Sequence, residues 1–278
     1  MEWETDVIEL IKKRRSVRTY THSEIEPCKL KKFEAFLAPA KENPFGADVR
    51  LEMMELPEGS KIGTYGAIRG AKHFFGGCVK KGGLDIEGFG YVFEKAVLYA
   101  TSLGLGTCWL GGFQRKKAEK LLSSGDEIIP AISPLGYEAQ NRSLVEKIVT
   151  AGAGSASRKA FEEIFFYGSF SKPLVLKDSP LRESLEMVRL GPSASNKQPW
   201  RLLMHDGKCH FYLMQSKRYA GNLLFGFCLQ RLDMGIAACH FELCAKQTGL
   251  PGAIVFEDPN LLTKEEIENG LSYSFSWA

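Results

Sequence analysis

The segment Gly191-Pro192-Ser193-Ala194-Ser195-Asn196-Lys197-Gln198-Pro199-Trp200 is the most informative stretch of this chain. Its two prolines and its glycine exclude regular secondary structure, so the sequence predicts a stiff loop. Ser193, Asn196 and Gln198 offer hydrogen-bond donors and acceptors along it, and a proline and a tryptophan offer flat apolar surface. Such a loop suits the polar edge of a planar heterocycle, and an ordinary polar surface loop is the alternative interpretation.

A basic segment, Arg14-Arg15-Ser16-Val17-Arg18, follows the first predicted helix. In an extended chain Arg14, Ser16 and Arg18 point to the same side, because side chains alternate along a strand. Two guanidiniums and a hydroxyl suit a phosphate, since arginine donates paired, charge-assisted hydrogen bonds to its oxygens. A basic helix C-terminus favoured by the helix dipole is the alternative. The later pair Arg158-Lys159 would also serve a phosphate or begin a solvated helix.

A glycine-rich segment runs from Gly104 to Phe113, with the sequence GLGTCWLGGF. Glycines let the backbone approach a ligand closely, and turns around a short buried strand are the alternative. The segment is neither a dinucleotide-binding fingerprint nor a phosphate-binding P-loop. The five histidines show no metal-ligand spacing, and a Gly-x-Ser-x-Gly hydrolase motif is missing, so we expect no metal.

Composition excludes several classes of protein. The chain has 278 residues and a net charge of +3, from 36 basic and 33 acidic side chains, which is too weak to indicate nucleic-acid binding. No apolar run approaches the roughly 20 residues that cross a membrane. The acidic N-terminus lacks the features of a signal peptide, and seven cysteines without a Cys-x-x-Cys pair are typical of reduced thiols. We therefore expect a cytoplasmic protein without membrane or nucleic-acid partners.

Apolar periodicity places the main elements along the chain. A first helix contains Val7, Ile8 and Ile11, with Thr5 or Asp6 as its N-cap. Further helices are predicted over 27–38, 89–103, 114–123, 159–166, 181–190 and 224–248. Strands are predicted over 49–55, beginning at 74–75, over 107–110, as a pair over 201–214 around Asp206-Gly207, and over 253–256, and a short apolar segment lies near 128–136. Residues 150–157 are predicted to be a linker or a mobile loop, and the composition of 145–157 makes it a candidate lid.

The two halves of the chain echo each other. An offset of 145 residues (235 − 90) aligns Gly90, Leu98, Ala100, Gly104 and Leu105 with identical residues, and an offset of 151 (201 − 50) aligns Arg50, Leu51 and Met53. The order of predicted elements also repeats. The identities are few, so the sequence leaves a duplicated α+β unit and chance similarity as alternatives.

In combination and in this order, these segments resemble the FMN-dependent nitroreductase family. The resemblance implies that 14–18 holds the FMN phosphate, that 192–200 cradles the flavin ring, and that the backbone of 103–113 lies beside flavin N5, with 158–164 returning to the phosphate. It implies no catalytic acid or base. The cofactor-binding residues that it implies are Arg14, Arg15, Ser16, Arg18, Trp109, Leu110, Gly111, Gly112, Arg158, Lys159, Pro192, Ser193, Ala194, Asn196 and Gln198.

The sequence departs from the ordinary family pattern in a complementary way. Residues 41–47 stand where a ring-cradling loop is expected after the phosphate motif, and they have lost it, whereas 165–169 stand opposite 14–18 and lack the phosphate motif. Ordinary members are homodimers whose subunits share each FMN. The chain is therefore similar to a single-chain subgroup in which two copies, here 1–157 and 158–278, are fused as an intramolecular pseudo-dimer. We expect an interwoven α+β nitroreductase-like fold with antiparallel or mixed sheets flanked by helices.

This resemblance implies one FMN per chain between the halves, a second degenerate site, and a chain that can act as a monomer because the family interface is internal. It also implies ping-pong hydride transfer from NADH or NADPH, through flavin N5, to a small nitroaromatic or quinone-like acceptor. The alternatives are a non-catalytic FMN-binding or storage protein, or another reaction of the same fold, such as dehalogenation or flavin cleavage.

Overall fold

The computed structural model describes residues 5–39, 42–54, 67–122, 126–140, 157–216 and 226–278. The backbone divides into two compact units. We call Lys13–Ala156 the N-terminal unit, and Met1–Lys12 together with Ser157–Ala278 the C-terminal unit. Each unit has its own sheet with helices, which confirms the predicted α+β class.

The described part of the N-terminal unit contains a four-stranded antiparallel sheet and three helices. Its helices are α2 (Pro27–Leu37), α3 (Asp85–Ser102) and α4 (Arg115–Leu122), and its strands are β1 (Arg50–Met54), β2 (His73–Cys78), β3 (Gly106–Thr107) and β4 (Ile132–Gly136). The strand order is β1-β2-β4-β3. Helix α3 is buried on nearly all sides, as expected of a helix that is apolar all round, and it forms the core of the unit.

The C-terminal unit is a six-stranded sheet. Helix α1 (Val7–Lys13) belongs to it in all but its last residue. Its other helices are α5 (Pro180–Leu190), α6 (Gln230–Thr248) and α7 (Lys264–Glu268), and its strands are β5 (Phe165–Tyr167), β6 (Ser169–Pro173), β7 (Trp200–His205), β8 (Lys208–Met214), β9 (Ile254–Val255) and β10 (Leu271–Trp277). The order is β6-β5-β7-β8-β10-β9, and only the β5–β7 pairing is parallel.

The two units repeat one topology. The series α2, β1, β2, α3, β3, α4, β4 has the same order as α5, β7, β8, α6, β9, α7, β10. The strands follow the same spatial order as well, since β1-β2-β4-β3 corresponds to β7-β8-β10-β9. The two sequence offsets fall on corresponding elements, because one links α3 to α6 and the other links β1 to β7.

Most predicted elements are present with small shifts in their ends. In α1, Val7, Ile8 and Ile11 are buried, and the Asp6 carboxylate accepts a hydrogen bond from the Glu9 N–H at 3.2 Å, as an N-cap does. The Asp206-Gly207 hairpin is confirmed, with positive φ at both residues, which is the two-residue turn that matches strand twist.

One predicted helix is wrong. Residues near 159–166 form a single 3-10 turn at Phe161–Glu163 and then enter β5. Phe165 pairs in parallel with Leu202, so the aromatic run is used as a strand because sheet pairing outweighs its helical period.

Two helix starts are also corrected. Helix α6 begins at Gln230, six residues after the predicted 224, and α3 begins at Asp85, four before the predicted 89. Residues 150–156 of the predicted linker, and 145–156 of the predicted lid, lie outside the described residues. Across the part of the chain that the structure describes, no helix combines the length and apolar character that crossing a membrane requires.

Candidate functional site

The segment 14–18 is extended, as predicted for its alternating side chains. It begins where α1 ends, and the Val17 N–H donates to the Thr107 carbonyl of β3 at 2.8 Å. Farther on, the Arg18 carbonyl accepts a hydrogen bond from the Arg69 N–H at 2.9 Å. Val17 is buried, while Ser16 is half-buried. The segment therefore lies as a strand-like edge along β3 rather than as the end of a helix.

Arg14 is a buried cation. Its side chain is only 6% exposed, and its Nε lies 4.0 Å from Oε1 of Glu94. Burial lowers the pKa of Arg14, and the charge of Glu94 opposes that shift. The Arg14 Nε has no hydrogen-bond partner in the structure. A buried guanidinium with an unused donor is the kind of group that an anionic ligand satisfies.

Arg15 takes a different environment from its neighbour. Its side chain is exposed, and its guanidinium forms a two-atom ion pair with the Glu138 carboxylate. Exposed pairs of this kind contribute little to stability. The Arg15 charge is therefore engaged at the surface of the N-terminal unit.

The glycine-rich segment is held against β4. The Cys108 N–H donates to Ser133 Oγ at 3.0 Å, and Leu110 exchanges backbone hydrogen bonds with Ile132 at 3.0 and 3.1 Å. The Leu110 N–H is thus occupied within the protein. The Trp109 indole donates from Nε1 to Glu94 Oε2 at 2.6 Å, so Glu94 contacts both this segment and Arg14.

Gly111 and Gly112 follow Leu110 and have different surroundings from it. The Gly111 carbonyl accepts a hydrogen bond from Arg115 at 3.1 Å, whereas a Cβ built on Gly112 meets no atom within 4 Å. Farther back, Gly106 lies tightly against Val17, because a Cβ there would come within 2.8 Å of Val17 Cγ2. Gly106 thus allows segment 14–18 and β3 to pack closely.

The loop 191–200 is stiff for reasons beyond its prolines. Ser195, Asn196 and Gln198 have φ of 48°, 53° and 46°, a region that costs free energy for residues other than glycine. Gln198 donates from its backbone to Ser193 Oγ at 2.9 Å, and its Oε1 accepts from the Lys159 N–H at 2.8 Å. These contacts fix a strained backbone in one shape.

The polar side chains of this loop have partners inside the C-terminal unit. Asn196 Nδ2 donates to the Ser157 carbonyl at 3.0 Å, and Gln198 Nε2 donates to the Asn196 carbonyl at 3.1 Å. Arg158 donates to Asn196 Oδ1 at 3.2 Å and to the Leu190 carbonyl at 3.1 Å. The predicted ring-binding side chains therefore also build the loop itself.

Lys159 is a half-buried cation next to the loop. Burial lowers the pKa of its ammonium group, the nearby charge of Arg201 adds to that shift, and the charge of Glu163 opposes it. The structure brings Arg158 and Lys159 to the loop, as a group in the C-terminal unit. It brings Arg14 and Trp109 together at Glu94, as a group in the N-terminal unit.

Sequence reasoning missed the carboxylate below the loop. Asp233, in the first turn of α6, is 3% exposed, and its Oδ1 accepts a hydrogen bond from the Ala194 N–H at 3.0 Å. Its Oδ2 is buried without a hydrogen-bond partner, and burial raises its pKa well above the usual value. Glu94 was missed in the same way. The available signal was an acidic residue flanked by apolar residues within a helix, since Glu94 follows Tyr91-Val92-Phe93 and Asp233 lies between Leu232 and Met234.

We find no candidate metal centre among the described residues. No group of three or more His, Cys, Asp or Glu side chains there is arranged to hold a metal ion. Arg201, also missed from sequence, is half-buried and donates to the Gln198 and Trp200 carbonyls at 3.1 and 2.7 Å. It therefore stabilises the C-terminal end of the loop.

The sequence model of one protein family, described as "Putative TM nitroreductase", matches residues 6–245. The chain belongs to this family. A solved structure described as a putative nitroreductase from Thermotoga maritima matches with a TM-score of 0.60 and 18% identity, covering 100% of this chain and 95% of that one. This likeness places the nitroreductase fold over the whole chain.

Two other solved nitroreductases match about half of the chain. One, from Bacteroides fragilis and with bound FMN, has 18% identity and a TM-score of 0.39 over 50% of this chain and 92% of that one. The other, an FMN-dependent nitroreductase from Clostridium difficile, has 22% identity and a TM-score of 0.40 over 49% and 90%. No curated protein matches the chain significantly.

Proposed function

We propose that this nitroreductase-family protein is an FMN-dependent oxidoreductase that transfers hydride from NADH or NADPH to a small acceptor of the nitroaromatic or quinone type. Family membership over residues 6–245 is the observation that carries the proposal. The described side chains support it by offering groups that suit a phosphate and a planar ring.

Arg14, Ser16 and Arg18 are the proposed phosphate ligands. The buried Arg14 guanidinium has an unused Nε donor, and a phosphate oxygen would accept a charge-assisted hydrogen bond from it. Because the backbone of the segment is extended, alternate side chains point to the same side, which supports placing Arg14, Ser16 and Arg18 together. Arg15, whose charge is engaged by Glu138, is left out of the proposed set.

The ring is proposed to contact the loop 192–198 and the segment 109–112. The three strained residues hold the loop in one shape, so it is organised before ligand binds. Gly111 and Gly112 are the backbone groups proposed to lie beside N5, because the Leu110 N–H is already bonded to Ile132. Bound FMN would supply the hydride acceptor, and these residues would bind and orient it.

We further propose that the chain arose by duplication of one unit and kept one copy of each motif. The repeated topology of the two units supports this. The stretch 41–47 supports it too, because it stands where a second loop motif is expected and lacks that motif. In this stretch Asn43 Nδ2 donates to the Ala47 carbonyl at 2.8 Å, and Asn43 Oδ1 accepts from the Ala47 N–H at 3.2 Å. Residues 165–169, opposite the phosphate motif, lie in β5 and at the start of β6. The chain would then bind one FMN.

The first test is FMN retention by variants of the basic segment. We expect Arg14→Ala with Arg18→Ala to abolish FMN retention by the protein that remains folded, because the phosphate loses both guanidiniums. The matched control is Lys12→Ala with Lys13→Ala, which removes two exposed charges just before the segment and should leave retention unchanged. Equal retention in both double variants would contradict the assignment.

The second test is anaerobic reduction of the bound flavin, followed by its absorbance, after addition of NADH or NADPH and then an acceptor. Reduction by either nicotinamide and reoxidation by a quinone or nitroaromatic is the expected result. Bound FMN that neither nicotinamide reduces would support the alternative of a flavin-binding protein. A chain that binds no FMN under any reconstitution would overturn the proposal.

A further inference from the structure

The carboxylate of Glu94 links two segments to which the proposed function assigns flavin binding. Glu94 lies in α3 and is completely buried. Its Oε2 accepts the indole hydrogen bond of Trp109 at 2.6 Å, and its Oε1 lies 4.0 Å from Arg14 Nε. Trp109 is also packed on Phe93, with ring centroids 4.5 Å apart. One side chain therefore fixes the indole and faces the guanidinium.

Buried charges need a partner of opposite sign, because the loss of hydration is costly for each alone. Among the described carboxylates, Glu94 is the one within ion-pair distance of Arg14. At 4.0 Å the pair is an electrostatic contact rather than a hydrogen bond, so Arg14 keeps an Nε donor without a partner. The pair therefore compensates charge without using the donor that a ligand would take.

We propose that Glu94 is the internal counter-ion of Arg14: it stabilises the ligand-free protein and lowers the affinity of the site for phosphate. A phosphate that binds Arg14 enters the field of Glu94 and is repelled by it. The inference rests on the proposed role of Arg14 as a phosphate ligand. Glu94 is thus a positioning residue that sets how much of the binding free energy of FMN comes from its phosphate.

Glu94→Gln isolates the charge, since the amide oxygen can still accept the Trp109 hydrogen bond. The measurements are the thermal midpoint of the ligand-free protein and the dissociation constants of FMN and of riboflavin, which lacks the phosphate. We expect a lower midpoint, because Arg14 loses its counter-ion. We also expect the preference for FMN over riboflavin to rise about tenfold, with riboflavin affinity nearly unchanged.

Two further variants make the result specific. In Arg14→Gln with Glu94→Gln both buried charges are gone, so the thermal midpoint should recover and the FMN preference should fall below that of the wild type. Glu87→Gln is the matched control, a buried carboxylate seven residues earlier on α3, and it should leave the FMN preference unchanged. If Glu94→Gln fails to fold, recovery of folding in the double variant supports the proposal.

An unchanged or reduced FMN preference in Glu94→Gln would overturn the inference, and so would a double variant that is no more stable than Glu94→Gln. Failure of the proposed function gives a different result. In that case the wild type binds FMN and riboflavin equally or binds neither, whereas the thermal midpoints of the ligand-free variants still decide whether Glu94 compensates Arg14.

Discussion

Asp233 shows how a single buried carboxyl can shape a binding loop. Its Oδ1 holds the Ala194 N–H, next to the strained Ser195 and Asn196, while its Oδ2 has no hydrogen-bond partner. An unsatisfied buried polar atom destabilises a protein by about 1–3 kcal/mol. The fold tolerates this cost at the start of the loop that we propose to bind the flavin ring.

The raised pKa of Asp233 predicts a pH dependence of stability. The folded protein holds a proton that the unfolded chain releases above about pH 3.8, so this group makes stability fall as pH rises from 3.8 toward its folded pKa. The loss is at most about 1.4 kcal/mol per pH unit in that window. Asp233→Asn keeps an acceptor for Ala194 and cannot ionise, so its stability advantage over the wild type should grow with pH.

Thermal midpoints of the wild type, Asp233→Asn and Asp233→Ala across the acidic to neutral range check this prediction. Asp233→Ala should be less stable than Asp233→Asn by about 1–3 kcal/mol, because it leaves the Ala194 N–H unsatisfied. Parallel pH profiles for the wild type and Asp233→Asn would show that the carboxyl titrates as it does in the unfolded chain.

At the scale of elements, Gly106 determines how closely β3 and the basic segment pack. A Cβ at this position would lie 2.8, 2.9 and 3.1 Å from three carbons of Val17, so the segment that carries Arg14 and Arg18 must shift. We expect Gly106→Ala to destabilise the protein by about 1–3 kcal/mol and to weaken FMN binding. Urea unfolding and FMN titration measure the two effects.

The control for this prediction is Gly112→Ala, in the same segment, where an added Cβ meets open space. Its stability should stay within about 0.5 kcal/mol of the wild type. Equal destabilisation by the two substitutions would mean that the contact with Val17 does not limit the packing.

Sequence patterns predicted the longer helices well, missed the short helix α7, and predicted some strands poorly. Helices α2 and α5 have a proline at the first helical position, and α6 ends at Gly249 in the left-handed region, which are strong local signals. The strand β5 was taken for a helix because its pairing partner Leu202 lies far along the chain. The strand β10 was missed although its apolar residues alternate, a signal that periodicity could have found.

The motifs of the candidate site could be predicted from the sequence, but the contacts between them could not. Loop composition indicated that Asn196 and Gln198 offer hydrogen-bonding groups in a stiff loop. Their partners Ser157, Arg158 and Lys159, however, lie about forty residues earlier in the chain. Composition and periodicity report on residues that are close in the chain, so they do not show which distant residues form hydrogen bonds with each other. For the same reason the buried Glu94 could not be linked to Arg14 from sequence.

At the scale of the whole molecule, the two units share one order of helices and strands, and each holds a different candidate segment. The basic segment lies in the N-terminal unit and the strained loop in the C-terminal unit. The corresponding stretches, 41–47 and 165–169, lack these motifs. If one FMN uses both segments, the chain is the functional unit, and neither half binds flavin alone.

The stoichiometry of FMN tests this account most directly. The purified full chain is saturated with FMN, freed of unbound flavin, and its flavin is released and quantified against protein. We expect one FMN per chain, lost both in Arg14→Ala with Arg18→Ala and in a variant that replaces the loop residues Ser193 and Asn196 with alanine. Two FMN per chain, or one that survives the loss of either segment, would contradict it.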